Sequence, residues 1–252
     1  MPSIACSCCV FLASSGASPI PGGSPPAAGS ESYDLVVQQL IPGYASLARL
    51  AVALLAASPQ AGRPGAAVLV AGCGTGAELV EARAQRPDWQ ITAIDPSAAM
   101  LDAARARLAS DSDASNGGLN WQQARVEDLQ AEACFSGALS VLVLQSLPDD
   151  GTKLAFLTAL ARSLEPGGQL VLVDLMAPER SPLQQQVERA WLGFQRASGL
   201  TDRDAQLSAL THGLHPIGLS RLTALVNAAG FGDPARIFQA LDYEGFLLQR
   251  SV

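Results

Sequence analysis

Val68-Leu69-Val70-Ala71-Gly72-Cys73-Gly74-Thr75-Gly76 is an apolar, β-branched run that passes directly into three glycines alternating with small residues. The run reads as a strand and the glycines as the loop that ends it, with a helix-forming segment from Ala77 onward. Without Cβ atoms, Gly72, Gly74 and Gly76 permit a sharp turn and let a ligand lie against the backbone. The next helix offers the unpaired N–H groups of its first turn. The pattern predicts a nucleotide-like cofactor seated on this loop.

A glycine loop alone also fits an ordinary strand-to-helix turn, so the residues at fixed distance from it matter. Ile91-Thr92-Ala93-Ile94-Asp95 is a second apolar strand ending in a carboxylate, about 20 residues after the last glycine, where a βαβ unit presents an acid to a ribose diol. Outward from this pair the chain alternates regularly. Strands are predicted at Val68–Ala71, Gln90–Asp95, Leu119–Gln123, Leu139–Leu144, Gln169–Leu175, Ala235–Leu241 and Gly245–Gln249. Helices are predicted at Leu35–Leu40, Ala45–Ala57, Ala77–Ala84, Ala98–Leu108, Thr152–Leu164, Leu183–Ser198 and Leu219–Ala229. Pro42-Gly43 breaks the first two helices, which read as a lid, and Pro96-Ser97 opens the helix at Ala98. Repeated βα units require a largely parallel sheet with helices on both faces, and a ligand then sits beyond the carboxyl ends of the strands.

AGCGTG at 71–76 followed by IDPSAAML at 94–101 resembles motifs I and II of the class I S-adenosyl-L-methionine (SAM)-dependent methyltransferases. The GxGxG spacing differs from the GxGxxG usual in dehydrogenases and turns the cofactor from NAD toward SAM. Tyr33-Asp34, Ile41-Pro42-Gly43-Tyr44, Arg196-Ala197-Ser198-Gly199 and Ala228-Ala229-Gly230-Phe231 extend the likeness to about residues 31–250, in an arrangement similar to the carboxy-SAM synthase branch. The resemblance implies a Rossmann-like α/β domain over 31–252, with a mostly parallel seven-stranded sheet, an antiparallel C-terminal strand pair and an N-terminal helical lid. It also implies a SAM site lined by Ala71, Gly72, Cys73, Gly74, Gly76, Asp95, Pro96, Met100, Val126, Glu127, Leu144 and Tyr44.

Several positions depart from the family pattern. Val70 stands where an acid usually orients the methionyl amine, Arg125 where an acid receives the adenine amino group, and Val141 where an Asn is frequent. Leu207–Ala209 holds no counterpart of the Arg that grips the extra carboxylate in carboxy-SAM synthases, which argues against carboxy-SAM synthesis. The readings left open are an active methyltransferase, a carboxy-SAM synthase-like transferase, a SAM-fold protein without catalysis, and an NAD-dependent oxidoreductase.

Composition agrees with a small-molecule enzyme. The chain has 252 residues, 48% hydrophobic and 15% charged, enough to bury a substantial core. A net charge of −7 disfavours a broad phosphate-binding face, so no nucleic-acid partner is expected. The apolar helix Leu47–Ala57 contains Arg49 and is too short to span a bilayer, so no membrane association is expected either. Residues 1–30 are dominated by Ser, Gly, Pro and Ala and read as a disordered tail. Its apolar stretch Ile4–Ala13 has no preceding Lys or Arg, which favours a cytoplasmic location over secretion. Cys6, Cys8 and Cys9 lack the further ligands of a tetrahedral site, so no metal is expected. A homodimer is compatible with everything above.

Methyl transfer from a sulfonium chiefly needs alignment of the nucleophile. Where the acceptor is a hydroxyl or an acidic carbon, His212 and His215, the two histidines of the chain, are the candidate bases. Tyr44 is a candidate contact to the sulfonium or its carboxylate, and Trp191 and Phe194 on one helix read as core or pocket wall.

Overall fold

The computed structural model describes residues 30–109, 118–179, 181–200 and 213–252. Two helices come first, α1 (Ser30–Leu40) and α2 (Tyr44–Ala56). Pro42-Gly43 separates them, and Gly43, at φ +81°, takes the left-handed conformation that the turn requires. The βα alternation follows: β1 (Ala67–Ala71), α3 (Ala77–Gln85), β2 (Gln90–Asp95), α4 (Ala98–Ala109), β3 (Leu119–Gln123), β4 (Phe135–Val141), α5 (Thr152–Ser163) and β5 (Leu164–Leu175). Helix α6 (Gln184–Ala197), helix α7 (Leu219–Ala229) and the strands β6 (Ala235–Ala240) and β7 (Tyr243–Gln249) complete the set.

The seven strands form one sheet in the order β3-β2-β1-β4-β5-β7-β6, parallel except that β7 runs antiparallel to both β5 and β6. Each face carries a layer of helices. Leu69 and Ala71 of β1, with Leu170 and Leu172 of β5, pack on Phe156, Leu157 and Leu160 of α5 and Leu222, Leu225 and Val226 of α7. The alternate residues Val68, Val70, Val171 and Val173 pack on the other face, under Leu47, Ala51, Val52 and Leu55 of α2, Leu79 of α3 and Leu101 of α4. This is the period-two alternation of a strand buried on both sides. A third cluster joins α1 to the molecule through Val36, Val37, Leu40 and Ile41 against Leu200 and Tyr243.

The limits of β1, β6 and β7 lie within two residues of the sequence expectation, whereas β4 and β5 depart from it further. β4 begins at Phe135 rather than Leu139 and ends at Val141, because Leu142, at φ +59°, turns the chain out of the sheet into a short 3-10 turn at Leu144–Ser146. Gly137 in the missed half is required where it stands: an added Cβ would lie 2.6 Å from Cδ1 of Leu55. β5 begins directly after α5, and its Pro166-Gly167-Gly168 segment is absorbed as an irregularity of the strand rather than a loop. Among the described residues no single helix is long and apolar enough to cross a membrane; α1 and α2 pass the length test only together, across a bend of 93°.

Candidate functional site

Strand order reverses between β1 and β4, which lead the chain to opposite sides of the sheet, and the crevice beyond their carboxyl ends is where an open α/β sheet takes a ligand. The loop 72–76 leaves β1 there. Gly72 and Cys73 both donate their backbone N–H to the Ile94 carbonyl, at 2.8 and 3.1 Å, and Gly76 donates to Cys73 O at 2.8 Å. Gly72, Gly74 and Gly76 have φ of +72°, +50° and +85°. A Cβ at Gly72 would stand 2.4 Å from Cγ2 of Val143, so only glycine lets the loop lie against the chain leaving β4. At Gly76 a Cβ would come 3.1 Å from Cβ of Ala104, the contact that seats the start of α3 on α4. At Gly74 a Cβ would meet nothing within 4 Å, so the loop presents an open backbone face.

Asp95 ends β2 beside this face and is 7% exposed. Its Oδ2 accepts from the N–H of Gly74 and its Oδ1 from the N–H of Ser97, both at 2.9 Å. Burial raises its carboxyl above the ordinary value, against the two backbone donors that favour the charged form. Glycine loop and acid are thus one hydrogen-bonded unit. Each carboxylate oxygen keeps a further lone pair for a hydroxyl donor.

Of the remaining expected residues, Tyr44 begins α2, Met100 lies in α4, and Val126, Glu127 and Leu144 lie in 3-10 turns after β3 and β4. Val126, in a 3-10 turn over Val126–Asp128, and Leu144 are buried, Met100 is half-buried in the first turn of α4, and Pro96 is exposed. Glu127 is half-buried and pairs with Arg125, Nη2 to Oε1 at 3.4 Å. Cys73 is buried and its thiol is pushed up to about 12 by burial, with Asp95 and Glu78 adding to the effect, which favours the protonated thiol. Tyr44, at the start of α2, has its hydroxyl pKa raised well above the ordinary value by burial first and then by Glu78. His215 is exposed and donates its backbone N–H to the carbonyl of Gln145 at 2.7 Å, beyond the end of β4. His212, the segment Leu207–Ala209 and the tail cysteines lie outside the described residues.

Helix α1 is fastened to the loop. Thr75 Oγ1 donates to Asp34 Oδ1 of α1 at 2.7 Å, and the other oxygen of Asp34 pairs with Arg107 of α4. Trp191 of α6 donates its indole N–H to the carbonyl of Leu40 at 2.8 Å and stands edge-on to Tyr243, so it ties α6 to the end of α1 as well as packing in the core. Phe194 is half-buried.

Two groups of buried charge were invisible to the sequence reading. Glu78, in the first turn of α3, is 7% exposed. Lys153 of α5, fully buried, donates to the carbonyl of Leu144 and faces Asp174 of β5, whose Oδ1 accepts from the N–H of Gln145 at 3.0 Å. An acid in a helix's first turn and a Lys in a helix look like routine solvated residues; only tertiary packing buries them.

The open glycine face, the buried ribose-type acid and the apolar side chains of Val126 and Leu144 suit an adenosyl cofactor with an amino-acid tail. A methyltransferase domain model matches residues 68–168. Carboxy-S-adenosyl-L-methionine synthase of Geobacter metallireducens is 30% identical over 221 residues, spanning 85% of this chain and 87% of that one. The synthase of Trichlorobacter lovleyi is 28% identical over 215 residues, spanning 82% and 84%. Among solved structures, the 1,6-didemethyltoxoflavin-N1-methyltransferase of Burkholderia thailandensis, with S-adenosylhomocysteine bound, is similar at a TM-score of 0.56 and 22% identity, over 92% of this chain and 94% of that one. Human N-acetylserotonin methyltransferase in complex with SAM is similar at 0.57 and 15% identity, over 89% and 57%. The strand order, the glycine loop joined to its acid and these relatives together make the chain a member of the class I SAM-dependent methyltransferases.

Proposed function

We propose that residues 31–252 form a catalytic domain that transfers the methyl group of SAM to a small molecule, acting in the cytoplasm without nucleic-acid or membrane partners. The observation that carries the reading is the hydrogen bond from Gly74 to Asp95, which fixes the open glycine face and the acid as one preformed surface at the switch point of the sheet. SAM, when bound, supplies an electrophilic methyl on a sulfonium. Asp95 would accept from the ribose hydroxyls, Val126 and Leu144 would offer apolar side chains to the adenine with Met100 and Glu127 beside them, and Tyr44 of α2 would cover the cofactor. The Asp34–Thr75 and Asp34–Arg107 contacts hold α1 over the loop and restrict water. The chain's main contribution is alignment of the acceptor; His212 and His215 are the bases for an acceptor that must lose a proton.

The curated relatives are compatible with a second reading, a carboxy-SAM synthase-like transferase. Against it stands the lack of a basic residue at Leu207–Ala209, because a second carboxylate taken from water without a cation costs several kcal/mol. One calorimetric series separates the readings. SAM and S-adenosylhomocysteine are expected to bind, carboxy-SAM no more tightly than SAM, and NAD not at all. Asp95→Asn keeps an acceptor for a backbone N–H but loses the charge, and should weaken SAM binding about tenfold. A clear preference for carboxy-SAM transfers the protein to the synthase reading, and unchanged SAM affinity in the folded Asp95→Asn protein removes the ribose role.

A further inference from the structure

Glu78 follows closely on the last glycine of the loop, in the first turn of α3, at 7% exposure. Leu79 and Ala82 of the same helix are buried in the core, and Glu78 lies where the start of α3 meets Tyr33 and Asp34 of α1 and Tyr44 of α2. A carboxylate at that depth has lost most of its hydration and needs a cation or several donors in return. Its surroundings give little. Its own backbone N–H favours its charge, and Arg107 does so more weakly, but Arg107 is already paired with Asp34. Asp34, Glu78 and Asp95 all act on Tyr33, and Glu78 and Asp95 also act on Cys73, so the three acids crowd one loop. Among the described residues, Asp34 opposes the charge of Glu78, and Arg107, shared with Asp34, supports it.

We propose that Glu78 is the anchor for the α-ammonium group of the cofactor's amino-acid tail. Val70 is apolar and 2% exposed, so the end of β1 offers that ammonium no carboxylate, and Glu78 beside the same loop does. An ammonium brings three donors and a positive charge into contact with a buried acid, the arrangement in which charge-assisted hydrogen bonds are strongest. Burial above all, with Asp34 adding to it, raises the Glu78 carboxyl to about 7 in the free protein, so a cation arriving there drives a proton off.

The inference rests on SAM as the cofactor, and the test keeps the two apart by using two thioethers that share adenosine. S-adenosylhomocysteine carries the amino-acid tail and 5′-methylthioadenosine lacks it. Titrated into the full chain at pH 6 and pH 8 in buffers of different ionisation heat, S-adenosylhomocysteine should release on the order of one proton at pH 6 and bind about tenfold more tightly at pH 8. Methylthioadenosine should do neither. Glu78→Gln should cost S-adenosylhomocysteine about tenfold or more in affinity, flatten its pH dependence and leave methylthioadenosine unchanged. Equal losses for both ligands, or pH-independent binding of S-adenosylhomocysteine by the native protein without proton release, would overturn the role of Glu78 while the cofactor reading stands. Failure of both ligands to bind the native protein would overturn both. The native-protein measurement decides the question even where the variant does not fold.

Discussion

Gly72 is held by two constraints that can be separated. Its φ of +72° is costly for any residue with a Cβ, and that Cβ would also collide with Cγ2 of Val143 at 2.4 Å. Gly72→Ala should therefore destabilise the protein by roughly 2–4 kcal/mol in denaturant unfolding, the sum of backbone strain and overpacking. Adding Val143→Ala should recover the packing part and leave about 1–2 kcal/mol of strain. If the double variant is no more stable than the single one, the contact with Val143 is not the constraint. At this scale the loop and Asp95 were legible because their partnership is encoded by local spacing in one βαβ unit. Glu78 was not: its burial comes with the packing of α3 against α2, which arrives from far earlier in the chain.

Between elements, Lys153 of α5 and Asp174 of β5 are both buried at the 3-10 turn Leu144–Ser146, Lys153 donating to the Leu144 carbonyl and Asp174 accepting from the Gln145 N–H, and they act on each other electrostatically. Burial raises the Asp174 carboxyl from 3.8 to about 7, partly offset by the N–H of Gln145 and by Lys153. The folded protein thus holds a proton that the unfolded chain releases above about pH 4, so this group makes stability fall as pH rises from about 4 through 7. Lys153→Met removes the compensating cation and should cost about 3–5 kcal/mol at pH 8, with the deficit shrinking below pH 7 as Asp174 takes up its proton. Chemical unfolding at both pH values checks this, and a deficit independent of pH would dissociate Lys153 from Asp174. The element limits that escaped the sequence have equally physical causes. Ser136, Gly137 and Ser140 dilute the β-propensity of β4, yet the strand forms because it is paired on both sides, and Pro166-Gly167-Gly168 reads as a turn but is carried into the sheet by β5.

For the whole molecule, the alternation of strands and helices made a doubly covered parallel sheet legible, since short βα connections leave few other arrangements. A chain lacking residues 1–29 is expected to keep its Tm and its SAM affinity, because that stretch, dominated by Ser, Gly, Pro and Ala, has no repeating apolar face to pack. A clear drop in Tm would show that the domain extends further toward the N-terminus. The placement of β7 bears on how the protein is made. It follows every other strand in the chain, yet it sits inside the sheet, zipped to β5 from Gln169↔Gln249 to Leu175↔Tyr243 and to β6 on its other side. Until the ribosome has delivered residues up to Gln249, β5 presents an apolar, unpaired edge of the kind that recruits other chains. A nascent chain stalled before Tyr243 therefore exposes a sticky sheet at the tunnel exit, and early termination there should yield aggregates rather than a smaller working enzyme.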